Sequence, residues 1–474
     1  MSNVVTPAEF QQAAAEVKMT VSQKVGRFAE SFSLNNVPKE IVQLAKLHVL
    51  DSIGIGLASS TKDYGHKAAS AGLDLGGEGD FPIIGLAHRL PVRDAIMVNG
   101  VLIHGLDFDD THTTGVIHIS ASTVPTALMM AMAHAKSGQE ALEAYLLGVE
   151  TGTRVAKASA GGIHANGFHT TGIIGAYGCA IVAGKLSDLT VEQYTNAQGL
   201  VASFGGPTRA YHANGAWAKR MHTGIAAVNG VNAATWARHG FTGPDTVYEY
   251  DQGLYGTYAH GQEIDLNVLT EGLGESWELC NVAYKPFPAC HWLHAFIESG
   301  ITLRKEHNLR PDDIESIIVL AHPNQGAVCA PEESKRRPQS SYQAQFSVHF
   351  TTAAALCRGQ FTLAEIEPET YGDPEVLAVC DKIHYETTTE TLYPDYFSGT
   401  VIVRTKDGRE LKHAQQHNLG TDEHPITVDQ VEEKYMSNAT KAVSTARAEE
   451  IRSLILALDE QPDLEDFDAA ISLS

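Results

Sequence analysis

Apolar residues recur with a helical period through the first part of the chain. Across Ile41 to Ser60, the positions of Leu47, Leu50, Ile53 and Leu57 keep helical spacing. Ser137-Gly138-Gln139-Glu140 has the form of a capping box, in which the serine hydroxyl takes the amide three residues on and the glutamate reaches back. It predicts a helix running to about Val155. Thr190-Val191-Glu192-Gln193 predicts another helix in the same way, carrying Ala197 and Leu200. Val124 to Ala135 is apolar nearly all round, which predicts a buried helix. Ala, Gly and Ser recur throughout, as suits closely packed helices.

From about residue 275 the pattern changes. Ser316-Ile317-Ile318-Val319-Leu320 and Thr400-Val401-Ile402-Val403 are short β-branched runs, and the second leads into Asp407-Gly408, a hairpin turn signal. An apolar helix is expected between them, over about Ala344 to Leu356. The tail turns helical again, with Ile451, Leu454, Ile455 and Leu458 at i, i+3, i+4 and i+7. The pattern predicts a mainly α protein with an inserted α/β domain. The helical domain is discontinuous, over 1–272 and 412–474, and the α/β domain spans 273–411.

Composition narrows the function classes. The 474 residues, 43% of them hydrophobic, suffice for two or three folded domains. A net charge of −23 argues against a nucleic-acid partner and against anionic membranes. It leaves room for a locally positive pocket and an anionic substrate. The six cysteines are scattered, without a CxxC pair, and are expected as reduced thiols in a reducing compartment. Neither a leader-like N-terminus nor an uninterrupted apolar stretch of membrane-spanning length is evident, so a cytoplasmic location is expected.

No GxGxxG joins a strand to a helix. Gly178 to Lys185 is one residue too long for a phosphate loop, and Leu186 stands where a hydroxyl would hold magnesium. The densest polar cluster is His104-Gly105-Leu106-Asp107-Phe108-Asp109-Asp110-Thr111-His112, with His118 beyond it. It reads either as an exposed acidic helix end or as a site. A metal-dependent helical lyase built on Asp107, Asp109 and Asp110 is one alternative, although their spacing is not the Asp-Asp-x-x-Asp of diphosphate-binding helical enzymes. A catalytically silent binding protein is another. Gly167-Phe168-His169-Thr170-Thr171-Gly172, with His164 upstream, leaves backbone and imidazole accessible to a ligand. Ala218-Lys219-Arg220-Met221-His222-Thr223-Gly224 offers a point charge and a bidentate fork to carboxylates. Tyr284-Lys285-Pro286-Phe287-Pro288-Ala289-Cys290-His291 places a lysine, a thiol and an imidazole after stiffening prolines. No oxyanion-hole or thiolate-stabilising pattern accompanies Cys290 as a nucleophile.

In this order the four clusters resemble the MmgE/PrpD family over nearly the whole chain. That family includes 2-methylcitrate dehydratase, cis-aconitate decarboxylase and iminodisuccinate epimerase. The resemblance implies a large helical domain, a smaller α/β lid domain, a homodimer and no cofactor or metal. It implies an active site at Asp107, Thr111, His118, His169, Lys219 and Lys285. The family's last active-site histidine falls on Cys290, with His291 adjacent, and His118 lies in His-Ile-Ser where the family usually has His-Pro-Ser. Ala218-Lys219-Arg220 also stands in place of the segment associated with bacterial 2-methylcitrate dehydratase, which favours a decarboxylase-like or epimerase-like reaction over the hydro-lyase.

The expected chemistry moves a proton, or removes carbon dioxide, next to a carboxylate of a small di- or tricarboxylate. Lys219, Lys285 and Arg220 are the candidates to neutralise the enediolate-like charge. His118 and His169 are the candidate acid–base groups, with Asp107 orienting an imidazole and Thr111 bonding substrate. Cys290 and His291 complete the expected substrate contacts.

Overall fold

The computed structural model describes residues 19–213, 216–393 and 395–473. The capping box at Thr20 opens α1 (Val21–Ser31). Next come α2 (Lys39–Ser60), α3 (Asp63–Gly76), the short paired strands β1 (Phe81–Pro82) and β2 (Arg89–Leu90), and α4 (Val92–His104). α5 (Ser120–Ala133) begins four residues ahead of the expected apolar run, so that Pro125 falls inside it. The expected boxes at Ser137 and Thr190 open α6 (Gly138–Lys157) and α8 (Val191–Val201), flanking α7 (Thr170–Leu186). The phosphate-loop-like Gly178 to Lys185 is therefore helix interior, and Lys185 is spent on Glu143 and the Phe32 carbonyl. α9 (Ala218–Arg238) packs on α7, α4, α8 and α5.

By length and composition α2 could cross a bilayer, yet 83% of its apolar window is buried inside the protein. It is a core helix, and it carries the buried polar residues Lys46, His48 and Asp51 into the interior.

The later part holds a four-stranded sheet of β5 (Ile314–Ala321), β6 (Ile383–Thr387), β7 (Gly399–Thr405) and β8 (Glu410–Gln415), in the order β6-β5-β7-β8. β5 and β6 run parallel; the other pairings are antiparallel. Ile317, Val319, Val401 and Val403 alternate into the core, as period-2 patterning requires. Asp407-Gly408 turns β7 into β8, with Gly408 at φ +86°. α10 (His294–His307) packs on β7, β8 and α11 (Val348–Arg358). α11 starts later than expected because the Ser347 hydroxyl accepts the Phe350 amide and caps it, leaving Ser341–Ala344 as a separate turn. The chain then returns to the helical body through α12 (Val428–Ala439) and α13 (Thr445–Leu456).

Among the described residues two large hydrophobic cores follow this division, beside a small third cluster of Ile55, Ala58, Leu106 and Phe108. The helical core takes in Leu279, Val282 and Tyr284, and the sheet core runs from Ala289 to Leu411. Dividing the chain between those cores, rather than at 272 and after 411, keeps β8 whole. It also leaves the short β4 (Val282–Ala283) with its antiparallel partner β3 (Thr111–His112). That pairing fixes where the chain leaves for Lys285.

Contact between α4 and α9 depends on absent side chains. A Cβ on Gly100 would lie 2.8 Å from the Gly224 Cα, and one on Gly224 would lie 2.3 Å from the Met97 carbonyl oxygen. Backbone cannot yield as a side-chain tip can, so Gly224→Ala should destabilise the protein by about 2 kcal/mol through overpacking. Equilibrium urea unfolding checks this. An unchanged midpoint would show that the two helices are not locked together.

Candidate active site

α4 ends at His104, and the chain turns through Asp107 at φ +49° before β3. The three carboxylates that follow are buried, between 1% and 2% exposed, so they do not form a solvated helix end. Each has a separate partner. Asp107 accepts from Lys219 Nζ at 2.9 Å and from Lys285 Nζ at 2.7 Å, and Lys285 also donates to the Asp107 carbonyl at 2.9 Å. Asp109 pairs with His104 Nδ1 at 2.8 Å. Asp110 accepts from His48 Nδ1 at 2.7 Å and from the Ser120 hydroxyl.

Burial alone would raise the Asp107 carboxyl, but the two ammonium groups beside it hold it well below the ordinary carboxylate value. Two cations on one anion leave the cluster at net +1, with Lys285 fully buried. A lasting charge of that sign in a buried pocket suits an anionic ligand.

His118 stands next to this cluster. Its Nδ1 lies 2.8 Å from the Asp110 carbonyl oxygen, which can only accept, so Nδ1 carries the proton. Nε2 is left as the free base, 4.0 Å from Asp107 Oδ1. The Thr171 hydroxyl accepts the His118 amide, tying this segment to the start of α7. His169 caps the other side of that junction, its amide on the Pro207 carbonyl and its Nδ1 2.9 Å from His222 Nδ1. Burial, reinforced by Lys219, pushes His169 well below the ordinary imidazole value. Burial does the same to His118 against the pull of Asp109, and to His104. The imidazoles are neutral at neutral pH.

These groups line one cavity between the helical and sheet parts. Asp107, Thr111, His118, His169, Lys219 and Lys285 come from the first or its edge, and Cys290 and His291 from the second. Eight of the nine expected residues meet here. Arg220 does not. One residue beyond Lys219 on α9, it points elsewhere, donating from Nε to the Gly105 carbonyl at 2.6 Å with its guanidinium over Tyr64 and Tyr342. Burial raises the Cys290 thiol, which disfavours a thiolate nucleophile. His291 is buried, and both ring nitrogens lack a hydrogen-bond partner among the described residues.

Arg209, Tyr211 and His212 also line the cavity, and the sequence reading did not single them out. They lie before α9, Tyr211 and His212 in a single 3-10 turn (Ala210–Ala213), too short for a period to assign a face. Their signal was only a basic and aromatic run close to the lysine cluster.

The metal alternative fares poorly on the donor set. His104, Asp107, Asp109 and His118 offer atoms within 4.8 Å of one another, as do His104, His118 and His169. Yet both Asp107 oxygens hold ammonium groups, Asp109 holds His104, and Asp110 is turned to His48 and Ser120. A divalent cation would sit against two lysines.

Residues 23–267 match the MmgE/PrpD N-terminal domain, and residues 287–460 match the MmgE/PrpD C-terminal domain. The chain is 27% identical to the cis-aconitate decarboxylase-like protein oryM of Aspergillus oryzae, over 92% of this chain and 94% of that protein. It is 27% identical to cis-aconitate decarboxylase of Homo sapiens, over 96% and 94% of the two chains. It is 25% identical to that of Aspergillus terreus, over 96% of each. With both domains matched along most of its length, the chain belongs to the MmgE/PrpD family.

Proposed function

We propose that the protein is a lyase that removes carbon dioxide from a small unsaturated polycarboxylate, cis-aconitate being the first candidate. The observation that carries this reading is Asp107 holding Lys219 and Lys285 together at the wall of a buried cavity, with His118 and His169 beside them. The named activity of the relatives supports it.

In such an acid the breaking C–C bond releases carbon dioxide and its electron pair forms a new C=C. The former π pair becomes charge next to a remaining carboxylate, and that carbon then takes a proton. The lysines neutralise the charge as it develops, in a site with little water to reorganise. An imidazole supplies the proton. That group must therefore be charged in the complex although it is neutral in the free protein. The incoming carboxylates provide the difference, because nearby anions favour imidazolium. No step calls on a metal or an organic cofactor.

Proton NMR of the protein incubated with cis-aconitate, 2-methylcitrate and iminodisuccinate tests the reaction. The expected result is loss of cis-aconitate with new methylene-type alkene signals, undiminished by a strong chelator. Turnover of 2-methylcitrate or iminodisuccinate with cis-aconitate untouched would replace decarboxylation by dehydration or epimerisation. His118→Ala or His169→Ala should cost roughly a hundredfold in turnover if that side chain moves the proton, and near-normal rates in both would misplace it.

A second prediction concerns pH. His118 and His169 lie below their ordinary value when the site is empty and rise when anions enter, so binding takes up protons near neutrality. Calorimetry of tricarballylate binding at pH 7.5, in two buffers of different ionisation enthalpy, should give net uptake that grows as the pH is lowered toward 6.5. Zero uptake or net release would contradict an imidazolium forming when anions bind.

A further inference from the structure

The cavity that holds the lysine pair does not end there. It opens into an outer cleft of about 570 Å³. Five residues border both spaces, and Arg209 is the one among them with a fixed positive charge. A substrate that extends outward from the lysines passes Arg209 at this throat.

Arg209 is held in place there. Its amide donates to the Gly167 carbonyl, Thr208 bridges to Phe168, and Nη1 donates to the His164 carbonyl at 3.0 Å. Nε is buried without a hydrogen-bond partner among the described residues. Lys219 and Lys285, by contrast, share a carboxylate. Among the described residues the charged side chains around the inner cavity are three cations, Lys219, Lys285 and Arg209, and one anion, Asp107, for a net +2. That charge matches a ligand with two carboxylates, one at each end of the space.

We infer that Arg209 is a specificity-determining residue, receiving the substrate carboxylate farthest from the lysine pair and so selecting acids that carry a second carboxylate. The guanidinium fork suits this role, since it binds a carboxylate through two parallel hydrogen bonds. A monocarboxylate can satisfy the lysines and still leave Arg209 unmatched. This rests on the polycarboxylate reading above and adds the residue that enforces it.

Calorimetric binding of glutarate and of its monoamide tests the inference without depending on turnover. Wild-type protein should prefer glutarate by at least about tenfold. In Arg209→Met the preference should fall below roughly threefold, with monoamide affinity little changed. Arg209→Lys should recover part of the preference, as a point charge without the fork. Wild-type preference retained in Arg209→Met, or no preference in the wild type, overturns the inference. If Arg209→Met binds neither probe, Arg209→Lys decides: a glutarate preference supports the role, and its absence overturns it. A wild type that turns over cis-aconitate while Arg209→Met keeps its preference removes Arg209 alone and leaves the lyase reading standing.

Discussion

Two ammonium groups and one carboxylate meet at Asp107 from positions 112 and 178 residues away, and the other parts of the site are arranged around them. Lysine and aspartate charges in the interior are costly unless paired and hydrogen-bonded. Removing one partner of such a cluster typically costs about 3–5 kcal/mol, because the remaining charge stays buried. The fold therefore has to deliver all three groups together. α9 brings Lys219, pinned to α4 through Gly100 and Gly224. The β3–β4 pairing sets the register from which the chain reaches Lys285. A left-handed backbone at Asp107 lets side chain and carbonyl both face Lys285.

The same arrangement sets the chemistry. In the proposed reaction surplus positive charge would draw carboxylates in, while burial with nearby cations keeps the imidazoles neutral in the free protein. On the proposed reading, the site is at rest when empty and becomes an acid–base site when occupied. Asp109 and Asp110, which look like metal ligands in the sequence, serve this end indirectly. Asp109 holds His104 beneath His118, and Asp110 supplies the carbonyl that fixes the His118 tautomer.

What could be read in the sequence was local. The boxes at Ser137 and Thr190, the β-branched runs of β5 and β7 and the Asp407-Gly408 turn each depend on residues a few positions apart. The four polar clusters could also be located, because their residue types are expensive to bury without use. What escaped depends on distant contacts. Arg220 and Lys219 are neighbours in sequence, and only the packing of α9 shows that one faces the cavity and the other Tyr64. Arg209 lies in an irregular stretch whose position is set by hydrogen bonds to Gly167 and His164. The limits of the helical core depend on β4 finding β3, a pairing across 170 residues that no local pattern encodes.

If Asp107 acts through the two lysines rather than as a base of its own, removing Lys285 should remove most of what Asp107 contributes. A double-mutant cycle of Asp107→Asn and Lys285→Met, read as kcat/KM, measures this coupling. The account predicts a double variant within about threefold of the poorer single variant. Losses that multiply would contradict it, and would make Asp107 an independent participant in the chemistry.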